Sequence, residues 1–293
     1  MGSCDLKLGV VGLGALGRPM AANLISAGFD TRLHNRTRSA ETGDDFDGAV
    51  RCANPAEAAA GVDVMLLCVS DDTAVETVLF GEDGASAGLR PGSVVLDCST
   101  ISPAQAVRCA DRLARQGVSY LDAPVTGGTE GARAGTLTVL VGGEPDALDK
   151  VQPVLAVIGG TVHHFGAVGR GQQVKAVNQV LVAGSYAAVA EAMALGERLE
   201  LPMRQVVEAL KGGAAGSWAL SHRAEGMLAG RYPLGFKLAL HHKDLDIALS
   251  TAEGVQLELP ISSLVQDQEA ALIDRGFGEE DVSALHRQFD TQS

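Results

Sequence analysis

An apolar run, Leu6–Val11, leads directly into Gly12-Leu13-Gly14-Ala15-Leu16-Gly17, and the helical pattern Arg18–Gly28 follows at once. A G-x-G-x-x-G turn between a strand and a helix leaves a chain few folds to choose from. Gly12 permits the tight turn, Gly14 lets the backbone approach a pyrophosphate, and Gly17 lets the helix pack closely on the sheet. The helix N-terminus adds N–H donors and a partial positive charge for the same anion. On its own the motif is weak; between a strand and a helix it marks the first unit of a dinucleotide-binding domain. All six residues, Gly12, Leu13, Gly14, Ala15, Leu16 and Gly17, are candidate cofactor contacts.

The pattern beyond the turn agrees. Up to about residue 165, short apolar runs ("TRLHN", "DVMLLCVS", "SVVLDCS", "SYLDAPV", "LTVLVGG", "TVHHFG") alternate with amphipathic segments such as Pro19–Ala27 and Pro103–Gln116. That alternation predicts a largely parallel sheet built from crossover units, with helices over both faces. From about Val168 the rhythm becomes helical. "GQQVKAVNQVLVAGSYAAVAEAMALGERL" reads as one long helix, apolar around so much of its circumference that it should be buried on most sides. Helices Met203–Leu210, Ser217–Ala229, Phe236–Glu253, Ile261–Arg275 and Asp281–Phe289 are expected after it. The predicted fold is therefore α/β: a Rossmann-type dinucleotide-binding domain over residues 1–166, then an all-α C-terminal domain over 167–293. At 293 residues the chain is long enough for two cores.

The second strand bears on which dinucleotide binds. An NAD site usually places Asp or Glu about 20 residues past the glycines, on the ribose hydroxyls. Here that place holds His34-Asn35-Arg36-Thr37-Arg38, and Asp30 falls too early. A guanidinium and a hydroxyl suit a 2′-phosphate that a carboxylate would repel. Asn35, Arg36 and Thr37 thus predict NADP(H), with NAD(H) the weaker fit; Arg38 reads equally well as an exposed basic turn. Open α/β sheets bind ligands at the carboxyl ends of their strands. Val69, Ser70 and Thr100 stand at such ends, whereas Ser99 and Ser102 read as helix caps.

Four motifs in order, Gly12–Met20, "DAPVTGG", "GRGQQVKAVNQ" and "HHKDLDIAL", make the chain resemble the β-hydroxyacid dehydrogenases from Leu8 to about Leu285. Within that family "KAVNQ", "GGAAGS" and "GFKLALHHKDL" look most like tartronate semialdehyde reductase. "HNRT" looks like the NADPH-using glyoxylate and succinic semialdehyde reductases, and 3-hydroxyisobutyrate dehydrogenase is a further alternative. The resemblance implies reduction of a small carboxylate-bearing aldehyde to its hydroxy acid, an oxidoreductase acting on CH–OH. It implies that Thr126-Gly127-Gly128, where relatives commonly carry Ser-Gly-Gly, holds the substrate carboxylate. Glycines there let main-chain N–H groups face a small anion, while Gly142-Gly143 reads as a strand end. Lys175 becomes the general acid/base, with a pKa that partial burial would lower. Asn178 and Gln179 lie at i+3 and i+4 on its helix face, and either could orient the substrate. Trp218 would line the substrate pocket, with core packing an equal reading. Phe236 and Lys243 would lie near the nicotinamide; Asp244 reads as the partner of a neighbouring base.

Two relatives fit less well. The 6-phosphogluconate dehydrogenases carry a glutamate seven residues past the lysine, where this chain has Val182, and imine reductases generally lack the lysine. A non-catalytic NADPH-binding protein is the competing class, and retention of Lys175 with Thr126-Gly127-Gly128 argues against it. His241-His242 with Asp244 and Asp246 lacks a zinc-site ligand pattern, so no metal is expected. The net charge of −13 argues against a nucleic-acid surface. The first residues lack a signal-peptide pattern, and Met1-Gly2-Ser3 has no sixth-position Ser or Thr for myristoylation. The sequence shows no apolar stretch of the ~20 residues that span a bilayer. Five scattered cysteines, Cys4, Cys52, Cys68, Cys98 and Cys109, form no C-x-x-C pair. A cytoplasmic protein is predicted, a homodimer or homotetramer through its C-terminal half because the long apolar helix needs cover.

Overall fold

The structure is a computed structural model and describes residues 6–290; Met1-Gly2-Ser3 and Cys4 lie outside the described residues. The chain divides into two compact units, Met1–Lys175 and Ala176–Ser293.

The first unit holds a six-stranded parallel sheet in the order β3-β2-β1-β4-β5-β6. The strands are β1 (Lys7–Val11), β2 (Asp30–His34), β3 (Val50–Arg51), β4 (Val64–Leu67), β5 (Val94–Asp97) and β6 (Ser119–Asp122). The order reverses between β1 and β4, which opens the ligand crevice of a doubly wound sheet at their carboxyl ends. Helices α1 (Gly17–Ser26), α2 (Pro55–Ala59), α3 (Asp72–Phe80) and α4 (Pro103–Ala114) connect the strands. Asn54, Asp71 and Ser102 cap α2, α3 and α4 through side-chain oxygens, and proline opens α2 and α4. Every residue of β4 and β5 is buried because both sheet faces carry a core. Leu8, Val10, Met20, Leu24, Leu33 and Leu96 pack on one side. Met65, Leu67, Leu79, Val95, Ile101 and Leu113 pack on the other.

The later strand runs leave this sheet. β7 (Val125–Thr126), β8 (Leu137–Val141) and β9 (Gly159–His164) form a second, three-stranded sheet, with β7 antiparallel and β9 parallel to β8. Between β7 and β8 lies helix α5 (Gly128–Ala134), where a glycine-rich hairpin is the simplest structural reading of the sequence; α6 (Pro145–Ile158) joins β8 to β9. Glycine content hides α5, but Ala132 is buried against the first core and Gly135 ends the helix in a left-handed conformation.

Helix α7 (Arg170–Arg198) crosses from one unit into the next. In the second unit it is joined by α8 (Met203–Leu210), α9 (Trp218–Leu228), α10 (Leu238–Glu253) and α11 (Pro260–Asp274). Their core includes Tyr186, Met193, Leu220, Met227, Leu238, Leu245 and Leu272. Three expectations need correction. Residues Val282–Phe289 form a 3-10 segment rather than an α-helix, because Asp281 caps a tighter turn. Helix α7 is not buried on most sides: Val177, Leu181 and Leu195 lie exposed on it. It is also, by length and composition, apolar enough to cross a membrane, and less than half of its apolar stretch is buried. The same length and composition occur in core helices.

Asp281 organises the end of the second unit. Its buried carboxylate accepts from Gly235 N and Phe236 N at 2.9 Å, from Ser283 N and Oγ, and from Arg223 Nε at 3.2 Å. Asp281→Ala should cost about 3–5 kcal/mol, because it removes a buried carboxylate that accepts from Arg223, Gly235, Phe236 and Ser283 together. Urea unfolding would measure this, and a loss below about 1 kcal/mol would contradict the assignment.

Candidate active site

At the glycine turn, space decides which glycine does what. Gly12 has φ +96° and a Cβ there would lie 2.2 Å from the Cys68 carbonyl; one at Gly17 would lie 1.9 Å from the Gly12 carbonyl. Both are required by packing. A Cβ at Gly14 would meet nothing within 4 Å, so its absence keeps open space in front of the turn. Helix α1 begins there with neither a capping side chain nor an acidic residue in its first turn. The residues present therefore fit a dinucleotide pyrophosphate, with the α1 N–H groups as donors.

Asn35 shapes this turn from behind. Its Oδ1 accepts from Leu13 N at 2.8 Å, its Nδ2 donates to Thr37 O at 2.9 Å, and its own N–H donates to Glu41 Oε1. The buried Glu41 also takes Arg38 Nη1 at 2.8 Å, and Arg38 donates to Cys52 O as well. Arg36 and Thr37 are exposed beside them, and Arg36 makes no hydrogen bond or ion pair with any described residue. Arg18, not singled out in the sequence, donates to Ala40 O and Thr42 O at 2.9 Å and covers the Phe46 ring. It pins the start of α1 to the segment after β2. Its position just past Gly17 is the only signal the sequence carries.

The ends of β4 and β5 are tied together. Ser99 Oγ accepts from Val69 N at 2.9 Å, so Ser99 is not the helix cap it resembles; Ser102 is. Asp97, fully buried, accepts from Ser99 N and Tyr120 Oη at 2.9 and 2.7 Å. Burial pushes its carboxyl up to about 6 against those two donors. Ser70 Oγ donates to Asp71, and Thr100 is half-buried at the end of β5. The Cys68 thiol, pushed up to about 12 by burial, is inert packing.

Thr126 ends β7, paired with Thr138, and Gly127 (φ +129°) and Gly128 (φ +63°) turn the chain into α5. Gly127 is the N-cap, so no side chain covers the first N–H groups of that helix. Lys175, only 7% exposed, reaches this element: its Nζ donates to Val125 O at 2.9 Å, the carbonyl just before Thr126. Lys175 and Thr126-Gly127-Gly128, 47 residues apart at their nearest, thus meet in the first unit.

In the second unit Asn178, Gln179 and Lys243 form one chain of contacts. Asn178 Nδ2 donates to Gln179 Oε1 at 2.7 Å, Gln179 Nε2 to Asp244 Oδ2 at 2.6 Å, and Lys243 Nζ lies 2.7 Å from Asp244 Oδ1. Gln179 and Asp244 are buried, and Asn178 is only partly so. Trp218 is 45% exposed, not a core residue; it stacks on His222 at 4.4 Å and lies under the Arg223 guanidinium. Phe236 meets His241 edge to face at 5.7 Å, and His241 Nδ1 is spent on the buried Glu269 at 2.6 Å. No group of three or more His, Cys, Asp or Glu among the described residues could hold a metal.

Known proteins are similar to this chain over nearly its whole length. Residues 7–166 match the family model for the NAD binding domain of 6-phosphogluconate dehydrogenase. Residues 169–289 match that for the NAD-binding part of NADP-dependent 3-hydroxyisobutyrate dehydrogenase. The chain is 37% identical to 2-hydroxy-3-oxopropionate reductase of Escherichia coli, over 96% of both chains. It is 35% identical to 2-(hydroxymethyl)glutarate dehydrogenase of Eubacterium barkeri, over 96% of this chain and 94% of that one. The solved structure of Mycobacterium tuberculosis 3-hydroxyisobutyrate dehydrogenase with L-serine superposes with a TM-score of 0.87 at 29% identity, covering 98% of this chain and all of that one. The chain belongs to the β-hydroxyacid dehydrogenase family of nicotinamide-dependent oxidoreductases.

Proposed function

We propose that the protein reduces a small aldehyde-acid of the tartronate semialdehyde kind to its hydroxy acid, with NADPH and with Lys175 as general acid/base. One observation carries this reading: the buried Lys175 amine sits on the Val125 carbonyl, beside the uncapped turn Thr126-Gly127-Gly128. When bound, the nicotinamide supplies the hydride. Thr126 and the N–H groups after Gly127 would hold the carboxylate end, which orients the carbonyl group for attack. Lys175 would then give its proton to the carbonyl oxygen as negative charge develops there. Its contact with Val125 holds the amine in place and out of bulk water. The likeness to 2-hydroxy-3-oxopropionate reductase favours tartronate semialdehyde over succinic semialdehyde, glyoxylate and methylmalonate semialdehyde.

The preference for NADP(H) rests on Arg36. Glu41 and Cys52 O engage Arg38, which leaves Arg36 and Thr37 exposed at the end of β2 for a 2′-phosphate. We also assign the protein to the cytoplasm, where the free thiols Cys52, Cys68, Cys98 and Cys109 would stay reduced. The exposed residues Val177, Leu181 and Leu195 of α7, with Leu199 just past its end, support a homodimer or homotetramer.

Mixing the protein with NADPH and each of the four aldehyde-acids should give turnover, fastest with tartronate semialdehyde. Tight NADPH binding without turnover of any of them would instead indicate a non-catalytic binding protein. Lys175→Ala should lower kcat about 10²–10⁴-fold while NADPH affinity, read by fluorescence titration, stays unchanged. A near-normal rate would remove Lys175 from the chemistry. Arg36→Ala should raise KM for NADPH about 10–100-fold and leave KM for NADH alone. A wild-type preference for NADH would overturn the cofactor assignment.

A further inference from the structure

Gln172 stands one helical turn before Lys175 on α7 and is 1% exposed. Its Nε2 donates to Ser99 O at 2.8 Å and its Oε1 accepts from Ile101 N at 3.2 Å. One carboxamide therefore grips the main chain on both sides of Thr100, at the carboxyl end of β5. The same residue's backbone N–H donates to Asp122 Oδ2 at 2.9 Å, and Gly169 N donates to Asp122 Oδ1 at 2.7 Å. Two glycines make room for this junction. A Cβ at Gly142 would lie 2.5 Å from Asp122 Oδ1, and one at Gly171 would lie 2.3 Å from the Leu140 carbonyl. Gly142 thus does more than end a strand.

The first turn of α7 is fixed in two directions. Asp122, at the end of β6, sets where the helix begins; Gln172 sets how far that turn stands from the Ser99–Ile101 loop. Lys175 follows at i+3, on the same helix face, and bonds Val125 O, three residues beyond Asp122 in the chain. Three segments, 99–101, 122–125 and 169–175, are therefore joined by side chains that are all buried.

We propose that Gln172 is a positioning residue of the reaction: its carboxamide holds Lys175 at a set distance from the loop around Thr100. This rests on the assignment of Lys175 as general acid/base. A buried amide kept only to fill space would be replaceable by methionine of similar length. One that sets the placement of Lys175 would not, since misplacement by about 1 Å costs on the order of 10²-fold in rate.

Gln172→Met and Gln172→Glu test this; the glutamate keeps the acceptor for Ile101 N and loses the donor to Ser99 O. In Gln172→Met without cofactor, hydrogen–deuterium exchange at the Ile101 amide should speed up. Its kcat should fall about 10–100-fold, KM for the aldehyde-acid should change less than about threefold, and the isotope effect with 4-deuterated reduced cofactor should rise. Gln172→Glu should fall between wild type and Gln172→Met. Wild-type kcat and isotope effect despite faster Ile101 exchange would overturn the proposal, as would a kcat loss that only tracks the unfolded fraction. Should Gln172→Met fail to fold, Gln172→Glu decides: a raised isotope effect supports the role and a wild-type one rejects it. An active Lys175→Ala would remove the acid/base assignment. A silent Gln172 series beside an inactive Lys175→Ala would remove only the role of Gln172.

Discussion

Asp122 is a buried carboxylate that spends one oxygen on Gln172 N, in the first turn of a long helix, and the other on Gly169 N just before it. Burial is unfavourable for the ion and pushes the carboxyl up to about 6, with the two N–H donors working in the opposite direction. What that arrangement secures is the register of α7. Helix N-termini carry unpaired donors, and a carboxylate from outside the helix satisfies one of them and the N–H just before the helix, which fixes where the first turn starts. Lys175, less than two turns later, inherits that register and lands on Val125 O. The substrate end of the proposed site thus depends on a residue that touches neither substrate nor cofactor.

The cofactor end follows a similar logic, with support from behind the binding surface. Asn35, Glu41 and Arg38 make a connected set of hydrogen bonds that holds the glycine turn and the end of β2. Asn35 and Arg38, which look available in the sequence, are engaged in this frame, and Arg36 and Thr37 are exposed beside them. A buried carboxylate at Glu41 is compatible with a nearby 2′-phosphate because its charge is already matched by Arg38.

Features carried by local pattern are legible in the sequence itself. The glycine turn, the capped helices α2 to α4 and the switch to helical rhythm after β9 each follow from neighbours in the chain. Contacts between distant segments are not. Asn35 reads as a cofactor ligand, yet its oxygen is taken by Leu13 N, 22 residues away. Gln172 reads as one more polar residue of a helix, because its partners lie 71 and 73 residues earlier. Helix α5 is hidden for another reason. Glycine disfavours a helix by intrinsic preference, and here packing on the first core and the turn at Gly135 prevail. The exposed stripe of α7 shows the limit of composition, which registers how apolar a helix is but not which side finds cover.

The central claim is that Lys175 and Thr126-Gly127-Gly128 serve the two ends of one small substrate. A crystal structure of the protein with oxidised cofactor and glycerate, the product of tartronate semialdehyde reduction, tests it most directly. The predicted result has the glycerate carboxylate on Thr126 Oγ1 and the N–H groups after Gly127, with a hydroxyl oxygen within hydrogen-bond distance of Lys175 Nζ. A carboxylate bound elsewhere, with Lys175 Nζ still on Val125 O and out of reach of the glycerate, would contradict it.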